Sequence, residues 1–121
     1  MRVIFESQGI IVSAEFNDSR TAKEIFDNLP VQSNVSLWGE EVYFDIGFKA
    51  SAEGATMEVE KGEVAYWPQG KGLCIFFGPT PASVTEKPVP ASPVVIVGKV
   101  VSDLKDLKNI ELGAPISVSA E

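Results

Sequence analysis

Along most of this chain, apolar and polar residues alternate with a period of two, and glycine, proline or asparagine interrupts the alternation. Arg2–Glu6 puts Val3 and Phe5 on one face and Arg2, Ile4 and Glu6 on the other. Gly9 breaks that run, and Ile10–Phe16 resumes it as a second strand or the far arm of a hairpin. Glu41–Phe48 is the cleanest case. Val42, Phe44, Ile46 and Phe48 face one way and Glu41, Tyr43 and Asp45 the other, which reads as core against water. Val35–Leu37, the acidic Met57–Glu60, Val94–Val101 and Pro115–Ser119 are further strand segments.

The period changes once. Ala22, Ile25, Phe26 and Leu29 fall at i, i+3, i+4 and i+7, the apolar stripe of an amphipathic helix. Asn17, Asp18 and Ser19 supply N-cap side chains, Thr21 with Glu24 has the spacing of a capping box, and Pro30 ends the segment. Near the C-terminus Ser102 can cap a short helix, Asp103–Asn109, that buries Leu104 and Leu107.

The densest apolar stretch is Gly62–Thr80, which reads as strands Val64–Trp67 and Leu73–Phe77 around the turn Pro68–Gly72. Four of the eleven aromatic residues lie here, enough rigid apolar surface for a barrel core or a pocket wall. Pro79–Pro93 follows, with five of the eight prolines and no periodicity, and is expected to be a long extended surface loop. The result is seven or eight strands, one good helix and one short helix in a single domain over residues 1–121. So many strands in so short a chain point to a closed barrel or a sandwich.

Composition narrows the chemistry. The 121 residues carry 17 acidic and 10 basic side chains, a net charge of −7 that disfavours nucleic acid and anionic membranes as partners. There is no histidine, which removes imidazole acid–base catalysis and Ser-His or Cys-His nucleophile pairs. The one cysteine, Cys74, sits between Leu73 and Ile75 and reads as a buried packing residue. A zinc site of the His/Cys type and an intrachain disulfide are both out of reach, and no cofactor is implied. Glu58, Glu60 and Glu63 form an acidic edge, but with the spacing of one exposed strand face, so no metal site is read there. The absence of a signal-peptide pattern or a long apolar run gives a cytoplasmic expectation.

Three segments carry a resemblance. Val12–Pro30 resembles the strand and Lys-Thr-Ala-Glu-Asn-Phe helix of the cyclophilins. Gly62–Gly78 resembles the cyclophilin stretch that ends in Gln-Phe-Phe-Ile, and Val95–Val101 (Val-Ile-Val-Gly-Lys-Val-Val) resembles the Val-Val-Phe-Gly-Lys-Val strand before the second helix. The block from Gly62 to Pro81 is more similar still to a family of short prokaryotic cyclophilin-like proteins without an established activity. The resemblance implies an eight-stranded barrel with a helix closing each end.

It also implies a place to look for prolyl isomerisation. Rotation about an amide meets a barrier of ~18–20 kcal/mol, lowered by a dry pocket for the proline ring and a donor aimed at the prolyl nitrogen. In cyclophilins that donor is the arginine of a Phe-His-Arg motif. Asn34–Ile46, where it would fall, contains no arginine; the only two are Arg2 and Arg20. Gln-Phe-Phe falls on Ile75-Phe76-Phe77, which keeps only Phe77 of the pocket set, and the pocket histidine falls near Val94.

The candidate ligand-binding residues are therefore Phe77, Tyr66 and Trp67, with Phe76 turned into the barrel by alternation, and Trp38 and Tyr43 at the rim. Gln69, Lys71 and Glu63 are the polar groups nearest the central turn, and Glu63 would serve as an orienting carboxylate or a base if buried. The expected function is non-catalytic binding of a peptide or small molecule in an aromatic cleft. A weak prolyl isomerase is one alternative; a hydrolase-type role rests on fold analogy alone. A homo-oligomeric interaction protein, such as a homodimer through an apolar sheet face, is the other.

Overall fold

The computed structural model describes residues 1–121. Nine strands form one sheet: β1 (Arg2–Ser7), β2 (Ile10–Phe16), β3 (Val31–Asn34), β4 (Ser36–Leu37), β5 (Glu41–Asp45), β6 (Glu63–Trp67), β7 (Gly72–Phe76), β8 (Val95–Val100) and β9 (Pro115–Ala120). Their order is β3-β9-β1-β2-β8-β6-β7-β5-β4, with every pairing antiparallel. The two ends of that order, β3 and β4, are successive pieces of one stretch of chain. At Val35 the backbone leaves β9 as its partner and takes up β5, so the covalent chain itself draws the sheet into a nearly closed barrel.

Alternation fills the barrel. Val3, Phe5, Val12, Ala14, Phe16, Val42, Phe44, Val64, Tyr66, Leu73, Ile75, Val95, Val97, Ile116 and Val118 belong to a single interior cluster. The helix α1 (Arg20–Asp27) packs Ala22 and Ile25 against it. Ser19 caps α1, its hydroxyl accepting from the Ala22 amide at 3.1 Å. Thr21 and Glu24 do not form the expected capping box. The Thr21 hydroxyl donates to the Ser51 carbonyl (2.6 Å) and the Ser51 amide donates to Glu24 (2.7 Å), tying the helix to a distant loop.

Four other expectations change. The implied second helix is only a 3₁₀ turn, Leu107–Asn109; it buries Leu107, while Leu104 is partly buried against the same cluster. Met57–Glu60 is not a strand. Only Thr56 pairs, with Val94, and Val59 alone of the segment is buried. The Glu41 strand stops at Asp45, whose carboxylate accepts from the Gly47 amide and turns the chain. Val31–Asn34, with one apolar residue in four, becomes strand β3 because β9 supplies its partner. Residues 77–93 form no strand or helix, in line with the expected loop. The longest helix is α1, and no helix is long and apolar enough to cross a membrane.

The Gly-Lys-Val run of β8 has a mechanical reason. Val64 pairs with Gly98 but Ala65 with Ile96, leaving Val97 as an extra residue in a bulge. There the β2 backbone comes so close that a Cβ on residue 98 would lie 2.5 Å from the Glu15 carbonyl and 2.9 Å from the Phe16 ring. Gly98→Ala is expected to cost about 1–3 kcal/mol by forcing β2 and β8 apart, read as a lower urea midpoint. An unchanged midpoint would mean that the bulge relaxes freely.

Candidate functional site

One sheet face lies outside the barrel and is nevertheless largely covered. Glu41 and Tyr43 on β5 stand in register with Phe76 and Cys74 on β7, and Cys74 is in register with Ala65 on β6, two residues before Trp67 on the same face. Phe76, Cys74, Ala65, Val59 and Val94 form a second buried cluster, with Tyr43, Trp67 and Ile96 packed around it. The proline-rich loop returns across this face and leaves a cavity of about 190 Å³, lined by Trp38, Glu41, Tyr43, Trp67, Phe76, Pro90, Ala91 and Val94.

Local sequence holds the walls in place. Trp67 meets the Tyr43 ring edge-on, with centroids 5.8 Å apart at 84°. The 3₁₀ turn Pro68–Gly70 follows immediately, and the indole lies so close over Gly70 that any side chain there would overlap it. Lys71 leaves the turn in the left-handed region (φ 47°), and its carbonyl accepts from the Ile46 amide at 2.9 Å. The indole N–H donates to the Ser92 hydroxyl (2.6 Å), which donates to Gln69 Oε1 (3.1 Å). This relay pins the end of the loop beside the cavity.

The start of the loop is fixed on the other side. Trp38 N–H donates to the Glu41 carbonyl across the tight turn Gly39-Glu40, with Gly39 at φ +60°. Glu40 pairs its backbone with Pro79 and Phe77, and Pro81 and Thr80 press on Gly39 too tightly for a side chain. The Thr80 hydroxyl donates to the Val89 carbonyl, and Lys87 bridges Glu58 and Glu60 at 3.0 and 3.3 Å. The acidic edge at Glu58 and Glu60 is thus occupied by this chain's own ammonium.

Against this geometry, the expected site divides. Trp38, Tyr43 and Trp67 line the cavity together. Gln69 stands at the rim, holding Ser92. Tyr66 and Phe77 do not line it: both join the barrel cluster, and the Tyr66 hydroxyl accepts from the Ala50 amide at 3.0 Å. Phe77 instead borders a separate groove with Lys61 and Leu104. Phe76, expected inside the barrel, is the cavity residue. Adjacent residues on one strand cannot share a face, so Tyr66 and Trp67 were never able to serve one wall. Glu63 is half-buried at the start of β6, where its carboxylate accepts from the Glu60 amide at 2.6 Å, away from the cavity.

Glu41 is the residue that strand patterning does not reveal. It shares a face with Tyr43, as the alternation implies, but that face is covered, and Glu41 is only 6% exposed. Burial pushes its carboxyl up to about 7, offset in part by the hydrogen-bonding Cys74 thiol beside it. Burial first, and then the Glu41 charge, push the Cys74 thiol well above its ordinary value, so Cys74 stays a neutral, unreactive thiol. Neither arginine reaches the cavity. Arg2 pairs with Glu15 at 3.1 Å and Arg20 with Glu24 at 3.2 Å.

A nearly closed antiparallel barrel, one capping helix and a loop-covered aromatic face define a cyclophilin-like protein. A scan of protein families matches the Cyclophilin-like family over residues 1–119, and the chain belongs to that family. It is similar to the hypothetical protein AF2241 from Archaeoglobus fulgidus, known from a solution structure. The two are 33% identical with a TM-score of 0.84, over 100% of this chain and 95% of that one. A search of curated proteins returned no match.

Proposed function

We propose that this protein is a non-catalytic binding module that takes a small molecule or a peptide side chain into the cavity under the proline-rich loop. The observation that supports this most is the wall itself: Trp38, Tyr43, Trp67 and Phe76 converge on one space, and Trp67 is held in place by Tyr43, Gly70 and Ser92. Rigid aromatic groups give contact area at little entropic cost, which suits recognition. Chemistry has less support. A prolyl isomerase needs a donor at the prolyl nitrogen, and both arginines are spent in surface ion pairs. No histidine is present to activate a serine or cysteine nucleophile, and burial keeps the one cysteine, Cys74, as a thiol.

Both tryptophans of the chain line the cavity, so intrinsic fluorescence reports on that site without interference from elsewhere. Titration with small-molecule and peptide libraries is expected to give saturable shifts that shrink in Trp38→Phe and Trp67→Phe. A parent protein that stays silent throughout sinks the reading.

A further inference from the structure

The polar content of the cavity is lopsided. Among its eight lining residues one bears a formal charge, Glu41, and no lysine or arginine stands with it. The ion pairs of the chain involve Glu15, Glu24, Glu58 and Glu60 and leave its carboxylate without a cation; the Cys74 thiol lies beside it. A nearly buried carboxylate left without a cation is costly unless something else neutralises it. Every large side chain around it is aromatic, and aromatic faces carry the negative end of a quadrupole. Carboxylate and rings therefore favour the same ligand charge and disfavour an anion.

Hardness and size narrow the class. A calcium or magnesium ion wants six or more oxygen ligands, and here one carboxylate stands among indole, phenol, phenyl and proline. An organic cation, weakly hydrated and content with aromatic contact, fits where a hard ion does not. The volume is below the ~300–1,000 Å³ of drug-sized pockets, so the fit is to a headgroup rather than a large ligand.

We infer that the cavity binds a small organic ammonium ion, its charge against the Glu41 carboxylate and its alkyl groups against Trp38, Tyr43, Trp67 and Phe76. This rests on the binding reading above and names the ligand class. The titratable groups facing Glu41 are the Cys74 thiol from β7 and the Tyr43 phenol from its own strand. The loop and β6 present Pro90, Ala91 and Trp67, which carry no charge. Glu41 alone then sets how binding responds near neutral pH, and the response has a definite sign. The cation is bound by the ionised carboxyl, so affinity rises with pH, by about tenfold between pH 6 and pH 8 for a group titrating near 7.

The test uses two pairs of probes matched in shape: choline against 3,3-dimethylbutan-1-ol, and n-butylammonium against butan-1-ol. Tryptophan emission is followed at pH 6 and pH 8 at constant ionic strength. At least one cation is expected to bind tenfold or more tightly than its neutral partner at pH 8, and to lose about tenfold at pH 6. Glu41→Gln is expected to remove both the preference and the pH response. Equal binding of each cation and its neutral partner overturns the ammonium assignment and leaves the binding cleft standing, as does full retention of the preference in Glu41→Gln. No response to any probe by parent or variant overturns the ammonium assignment, and silence to the libraries as well overturns the cleft with it.

Discussion

Glu41→Gln is expected to stabilise this protein at pH 8 and to leave its stability nearly unchanged at pH 4. The carboxyl titrates near 4.5 in the unfolded chain and is pushed up to about 7 in the folded one. Below pH 4.5 it is protonated in both states and no difference arises. As pH rises from 4.5 to 7 the unfolded chain releases its proton while the folded chain keeps it, so folding stability falls. Above 7 the fold holds an ionised carboxylate with no cationic partner, and the whole penalty is present. Each tenfold difference in proton affinity between the two states is worth about 1.4 kcal/mol, so the ceiling is about 3 kcal/mol. Water at the cavity mouth lowers it toward about 2 kcal/mol. Gln keeps the shape and removes the charge. The check is a pair of urea midpoints, variant and parent, at pH 4, 6 and 8. A difference that does not grow with pH would show that the folded carboxyl is adequately solvated.

Phe44→Ala is expected to cost about 3–5 kcal/mol, a large share of the ~5–15 kcal/mol that holds an ordinary domain together. Phe44 is 1% exposed and stands on the interior face of β5, with Leu73 of β7 in register. Phe5 of β1 meets its ring edge-on at 6.3 Å and 68°, so the pair joins strands that lie far apart in the sheet order. Truncation removes both the buried area and that cross-barrel contact. The barrel wall is hydrogen-bonded all along β5, so it cannot collapse far into the space left. Urea unfolding at constant slope gives the number. A loss below about 1 kcal/mol would mean that the interior repacks around the gap.

The same strand shows how far alternation reaches. It assigns Val42 and Phe44 to one face and Glu41 and Tyr43 to the other, and the structure keeps that assignment. The second face is covered rather than wet, and nothing in Glu41–Asp45 reveals that residues 90–94 fold back over it. Trp67 and Phe76 show a similar limit from the other side. The aromatic block is visible in the chain, but its parity is not, because the exact end of β7 decides whether Phe76 or Phe77 points inward. Moving a strand's phase by one residue reverses every side chain on it.

The class of fold was legible in the chain: period-two alternation, one amphipathic helix with N-cap candidates at Asn17, Asp18 and Ser19, and a proline-rich stretch too irregular to pair. Those are local properties, governed by backbone sterics and by which side of a strand or helix is apolar. That β3 and β4 close the barrel is a matter of tertiary contact, since Val31–Asn34 has little strand character until β9 lies beside it. Tertiary contact alone decided that Glu41, Phe76, Trp67 and Pro90 meet around one cavity. Burial is a relation between residues distant in the chain. A carboxylate that alternation places toward solvent becomes, under a loop arriving some fifty residues later, the charge around which a binding site can be built.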